Sequence, residues 1–312
     1  MGRFAVAGVA MLCGALGASP YLAPLDGTPG SLILVYLAQL PLFMCGLWGG
    51  VAVAALAGLA ASLLLLIASN LVAAIMFAGL NVVPVILLVR QALLARIGAD
   101  GAIEWYPPGL LTAWLTGLGL TSIIVTLLLL GGPHDIPAEM REILALVLDR
   151  LFDDGTPERS ELALAMIMPG IIVVFWMVMT LTNGSLAQAL LTGFGVGWRP
   201  SPALAAVELP GWFLVLLLLA ATATGLGGMM RFVGVNVIII LTLPFCLAGL
   251  AVLHTIARRF SRPTVPLVGV YVLTGLFGWP LLVVIFLGLL DTSLGLRWHV
   301  RLPRSIGGKY DG

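Results

Sequence analysis

Ionisable residues are what this 312-residue sequence has least of: 9% of its residues are charged, and it has three histidines and three cysteines. Soluble domains carry roughly 25% charged residues, so this chain cannot cover itself with a polar surface and its solvent must be lipid. The only lysine is Lys309, which excludes a phosphate-cradling G-x-x-x-x-G-K-[ST] loop and with it ATP hydrolysis. His134, His254 and His299 are scattered, and no H-E-x-x-H, C-x-x-C or G-x-S-x-G occurs, so no metal centre, cofactor or catalytic residue is expected and the chain does not read as an enzyme. Cys13, Cys45 and Cys246 fall inside apolar runs and read as small buried hydrophobes. Net charge is +1, with no dense Lys/Arg block, which excludes nucleic acid and a polybasic lipid patch. From Gly30 to Val89 there is no Asp, Glu, Lys, Arg or His, so a carboxylate proton relay has nowhere to run.

What is present is apolar length. Hydrophobic residues make up 61% of the chain and the mean hydropathy is +1.13. Apolar windows recur near 4–19, 31–48, 50–69, 71–90, 109–131, 161–183, 211–229, 233–256 and 264–291. Most are long enough, as helices, to cross roughly 30 Å of hydrocarbon, and runs such as LLLLIASNLVAAIMF do not alternate as barrel strands would. The expectation is an all-α, polytopic transmembrane helical bundle of about nine apolar segments, with 8–10 crossings, in a single integral membrane domain over 1–312. Arg3 followed by FAVAGVAMLCGALGAS has the features of a signal peptide, but its small residues suit helix packing as well, and it is read as a retained first helix.

Lys/Arg asymmetry sets the orientation. With the N-terminus inside, Arg3, Arg90, Arg96, Arg199, Arg258, Arg259 and Arg262 fall in the cytoplasm and the acidic 131–160 loop falls outside. Nine single crossings would then place Arg297, Arg301, Arg304 and Lys309 outside. The last window is interrupted by Gly278-Trp279-Pro280, so it is read as a hairpin or re-entrant pair that returns the basic tail, making both termini cytoplasmic. One long tilted helix is the competing reading. Within the outer loop, Met140, Ile143, Leu144, Val147 and Leu151 recur at helical spacing and predict a short amphipathic helix.

Small residues stand every fourth position at Gly46, Gly50, Ala54, Gly58 and Ser62, and again at Ala10, Gly14 and Ala18. Helices in lipid associate chiefly through close packing, so such stripes predict helix-packing seams, either within the chain or against a partner subunit. Three neutral polar residues lie beside prolines: Gln39 before Pro41, Asn81 before Pro84, and Asn236 eight residues before Pro244. A proline frees a carbonyl in the preceding turn, so these three are candidate ligand-binding residues; interhelical hydrogen bonding is the other account. FAGLN (77–81) recurs as FVGVN (232–236), which suggests that Asn81 and Asn236 face one shared interior site.

NGSLAQALL (183–191), WRPSPALAAVELPGW (198–212), LPFCLAGLAVLH (243–254) and GLLDTSLGLRWHVR (288–301) together resemble the YybS-like family of bacterial integral membrane proteins, a family of unknown function. The resemblance implies a bacterial cytoplasmic (inner) membrane protein. That family is similar, more distantly, to the substrate-binding subunits of energy-coupling-factor transporters, which bind a small molecule without hydrolysing ATP and dock on a membrane partner partly through small residues of the first helix. Ala10, Gly14 and Ala18 occupy the corresponding place, although those subunits generally have six helices. Two functional readings follow. The first is a solute-binding or transport subunit without its own ATPase, with a small-molecule ligand or a membrane partner subunit besides the lipid bilayer. The second is a membrane scaffold or assembly factor whose seams hold other membrane proteins.

Overall fold

The structure is a computed structural model that describes residues 3–22, 29–99, 101–130 and 158–297. Among these, the chain is built from helices and one short hairpin of strands. The helices are α1 (Arg3–Ala18), α2 (Pro29–Tyr36), α3 (Leu40–Gly49), α4 (Val51–Ala68), α5 (Leu71–Phe77), α6 (Val83–Ala92), α7 (Pro108–Leu130), α8 (Glu158–Gly193), α9 (Trp212–Thr224), α10 (Gly228–Ala257), α11 (Thr264–Phe277) and α12 (Pro280–Leu294). Seven helical segments are long and apolar enough to cross a membrane, counting α2–α3 and α5–α6 as one each; α9, α11 and α12 are shorter apolar helices. Each window read from hydropathy holds a helix or a broken pair. The amphipathic segment expected at 137–152 and the basic residues beyond Arg297 lie outside the described residues.

Contacts sort the chain into two compact units. Among the described residues, the first takes those up to Pro107, the middle of α7 and the second half of α8 through Pro202; the second takes the ends of α7, the first half of α8 and those from Ala203 to Arg297.

In the first unit, small residues let backbones touch. Ala10 and Ala18 on α1 and Ala57 and Ala61 on α4 are fully buried. A Cβ at Gly14 would press into the Ala57 carbonyl oxygen and lie 3.0 Å from Ala60 Cβ. The α1 stripe is therefore filled by α4, within the chain. The second stripe is not one groove, because the chain turns a corner at Gly49-Gly50. Gly46 ends up on α3 and Ala54, Gly58 and Ser62 on α4. Gly46 still faces Ala54 across the corner, since a Cβ there would stand 2.9 Å from Ala54 Cβ and 3.0 Å from Val89 Cγ2. Gly58 admits Val82 against its backbone. Gly50 has open space around it and is needed for another reason: its φ of +91° is a conformation that side-chain-bearing residues rarely adopt. Ser62 closes the series by donating its hydroxyl to the Gly58 carbonyl at 2.9 Å. The strands Ala95–Ile97 and Ile103–Trp105 form an exposed antiparallel hairpin, crossed by an Arg96–Glu104 ion pair at 2.6 Å.

In the second unit α10 is the central helix. Phe213, Leu241 and Phe245 form a buried core with Leu209, Leu214, Val237, Ile285 and Leu289 packed around it. Gly234 meets α9, where an added Cβ would fall 2.6 Å from the Ala220 carbonyl oxygen. The last apolar window is not one helix: Gly278, at φ +68°, ends α11 and Pro280 opens α12. α12 lies against α10 through Gly249 and Gly288, whereas α11 meets α10 near its end, with the Tyr271 ring edge-on to His254 at 6.2 Å.

Candidate functional site

Two prolines open two helices of the first unit, and side chains from α8 and from the α2–α3 link enter the openings. Pro41 has no N–H to give the Leu37 carbonyl, so Leu40 N–H turns to it at 2.9 Å. That tighter turn takes Leu40 away from Tyr36, whose carbonyl would otherwise be its helical acceptor. Asn183 Nδ2 donates to that Tyr36 oxygen at 2.8 Å, and its other hydrogen goes to Met179 O, also at 2.8 Å.

Pro84 does the same to Leu80, which loses its ordinary donor four residues on. Gln39 Nε2 donates to the Leu80 carbonyl at 3.1 Å and Trp176 Nε1 at 2.9 Å. Between α5 and α6 the helix widens into a π-helical segment, Ala78–Val82, that carries Asn81; such widenings recur at functional sites. Asn81 Nδ2 donates to the Tyr21 hydroxyl at 3.3 Å.

Asn183 has both amide hydrogens committed and Gln39 and Asn81 one each, while their oxygens are left over. Gln39 Oε1, Asn81 Oδ1, Asn183 Oδ1 and Thr180 Oγ1 are buried without a hydrogen-bond partner, on residues no more than 1% exposed. Native proteins leave few such groups unpaired, and each costs about 1–3 kcal/mol unless something meets it. The four residues are linked through neighbouring contacts. Gln39 and Trp176 converge on Leu80 O, Asn81 is the next residue, and Trp176, Thr180 and Asn183 follow one another along one face of α8. Asn183 then reaches Tyr36, one turn before Gln39. No Asp, Glu, Lys, Arg or His occurs at 30–89 or 162–198, so the cluster carries no formal charge.

Two of the three residues proposed from sequence, Gln39 and Asn81, therefore come together, and Thr180, Asn183 and Trp176 are additions that no proline spacing announces. Asn236 does not join them. It belongs to the second unit, where Pro169 disturbs α8, and its amide spans the opening: Gly170 N–H donates to Oδ1 at 2.6 Å, while Nδ2 donates to Met166 O and Phe232 O at 2.8 Å each. Gly170 and Met166 are one helical turn apart, so Asn236 serves as interhelical glue, with both amide hydrogens given away and its oxygen already accepting. Asn236→Leu should lower stability by about 2–4 kcal/mol, two or more buried backbone groups being left unpaired. Thermal unfolding of the purified variant measures this, and an unchanged midpoint would refute the bracing role.

The loop after α8 caps carbonyls that the corners expose. Trp198 Nε1 donates to Trp48 O, at the end of α3, at 2.7 Å. Arg199 donates to Ala92 O, at the end of α6, at 3.0 Å and to Tyr106 O at 2.9 Å, and its own carbonyl accepts from Gln188 Nε2 at 2.6 Å. Burial pulls the Arg199 guanidinium below its usual range, and its seat at the negative end of α6 favours the charge. His254 is a local brace, its Nδ1 lying 2.8 Å from Leu250 O. Among the described residues no group of three or more His, Cys, Asp or Glu is placed to hold a metal ion.

No curated protein and no solved structure matches the chain. Residues 154–292, which take in α8 to α11 and nearly all of α12, match the model of a family described as "Predicted membrane protein (DUF2232)".

Proposed function

We propose that this multi-pass membrane protein is a solute-binding or transport subunit that performs no chemistry on its ligand and draws its energy from a partner. The observation that carries the reading is the uncharged set of four unpartnered polar atoms beside proline-opened turns, because irregular backbone at membrane depth is tolerated where it is buried in protein or lines a water-filled cavity. The YybS-like stretches, with their distant likeness to substrate-binding subunits of energy-coupling-factor transporters, agree with it. Two of their residues, Asn183 and Arg199, hold the opened helices in place. A bacterial inner-membrane setting with both termini in the cytoplasm belongs to the same proposal. Docking through Ala10, Gly14 and Ala18 does not, since α4 occupies that stripe.

Mass spectrometry of small solutes and ions released from the detergent-purified protein tests the proposal. A ligand should be retained in simple ratio by the parent chain and held about tenfold more weakly by Thr180→Val, which removes one hydroxyl at constant shape. Retention of nothing by the parent, or equal retention by the variant, would count against the proposal.

A further inference from the structure

The four orphaned atoms share one chemical character, and we infer that they form a site for a desolvated monovalent cation. This rests on the solute-binding reading above and names the class of solute. Three of the atoms are carboxamide oxygens and the fourth is a hydroxyl oxygen. Two of the three amides are not free to turn over, whereas Asn81, whose partner is the Tyr21 hydroxyl, can present either end. Both hydrogens of Asn183 are committed, and exchanging its oxygen for its nitrogen would set that oxygen 2.8 Å from the carbonyl oxygens of Tyr36 and Met179. Turning Gln39 would set oxygen against the Leu80 carbonyl oxygen at 3.1 Å. Asn183 and Gln39 are thus fixed with an oxygen left unpaired.

An anion would be repelled by the fixed, unpaired oxygens of Asn183 and Gln39. A divalent cation would need carboxylates to offset its dehydration, and neither 30–89 nor 162–198 supplies one. A singly charged ion needs less. Neutral oxygens replace its hydration shell in carbonyl-lined filters and in the broken-helix sites of secondary transporters. The structure assembles the same ingredients from Gln39, Asn81, Thr180 and Asn183. Because an alkali metal ion and a protonated primary amine make the same demand for neutral oxygens, both are included in the class.

The test uses the full detergent-purified chain in N-methylglucamine chloride, exchanged at constant ionic strength for NaCl, KCl or methylammonium chloride, with unfolding followed by tryptophan fluorescence. One of the three cations should raise the midpoint by roughly 2–4 °C in a saturable way. Thr180→Val and Gln39→Met should each raise the half-saturating concentration at least about tenfold. Thr222→Val serves as control, because Thr222 is exposed and its hydroxyl bonds its own helix at Leu219 O; its response should match the parent. Equal shifts with all three salts that persist in Thr180→Val and Gln39→Met mean that internal water satisfies the oxygens, and overturn the inference. No response to any salt overturns it as well. The solute-binding reading outlives that result if an organic molecule is retained by the parent and lost from Thr180→Val, and falls with it if nothing is retained.

Discussion

Gly288→Leu and Gly249→Leu should abolish accumulation of the folded protein, and Gly288→Ala should cost about 3 kcal/mol, the upper end of the usual range for overpacking. The two glycines are reciprocal. A Cβ at Gly288 would run into the Phe245 carbonyl oxygen and lie 2.7 Å from Gly249 N, while a Cβ at Gly249 would run into the Val284 carbonyl oxygen. Backbone meets backbone on both sides, so no flexible side chain can move aside. In lipid, where apolar burial contributes little to helix association, this close approach is the main attraction between α10 and α12. Gly269→Leu, on α11, is the matched control: nothing lies within 4 Å of a Cβ there, and the variant should accumulate like the parent. Detergent-solubilised yield and the unfolding midpoint measure both outcomes. Normal accumulation of Gly288→Leu would mean that α12 does not pack on α10 as described.

Hydropathy made the helices legible, because a membrane-spanning segment must satisfy its own backbone and be apolar throughout, and both demands are local. Proline spacing made Gln39 and Asn81 legible for the same reason. Their partners were not. The Tyr36 carbonyl left open by the turn at Pro41 is met by Asn183 and the Leu80 carbonyl freed by Pro84 by Trp176, 147 and 96 residues away from the acceptors they serve, and nothing local marks those distances. The small-residue series misled in a different way. Its four-residue period runs straight through Gly49-Gly50, yet periodicity cannot tell a continuous helix from two helices meeting at a glycine corner, and Gly50 is the corner. The paired FAGLN and FVGVN stretches bury both Phe77 and Phe232 and both asparagines. The difference lies in what the neighbouring helix offers: α8 presents an opened turn to Asn236, so that amide is consumed. Asn81 sits in a π-helical widening and keeps an oxygen free. Arg297 was read only as a topological charge, whereas the structure gives it a partner.

That partner is Asp291, and Asp291→Ala should destabilise the second unit by about 3–5 kcal/mol, the cost of leaving a buried charge without its counterpart. Asp291 lies at the C-terminal end of α12, where a carboxylate opposes the helix dipole and would be unfavourable alone. Gly295 takes the left-handed turn beyond the helix, at φ +62°, and brings the chain back so that Arg297 N–H donates to Asp291 Oδ1 at 3.1 Å. The guanidinium adds Nε and Nη2 to Oδ2 at 2.9 and 2.6 Å, and its Nη1 donates to Ala205 O at 3.0 Å. Both side chains are 5% exposed. Because the pair is buried, salt should screen it little. Arg297→Lys should recover only part of the stability, since an ammonium cannot reproduce the fork that holds Oδ2 while reaching Ala205. The double variant Asp291→Ala/Arg297→Ala should be more stable than the sum of the two single losses predicts, because removing both charges removes the desolvation penalty along with the attraction. A double-mutant cycle on unfolding midpoints in detergent measures this coupling. Additive losses would show that the two side chains do not interact in the folded protein and that α12 is capped in some other way.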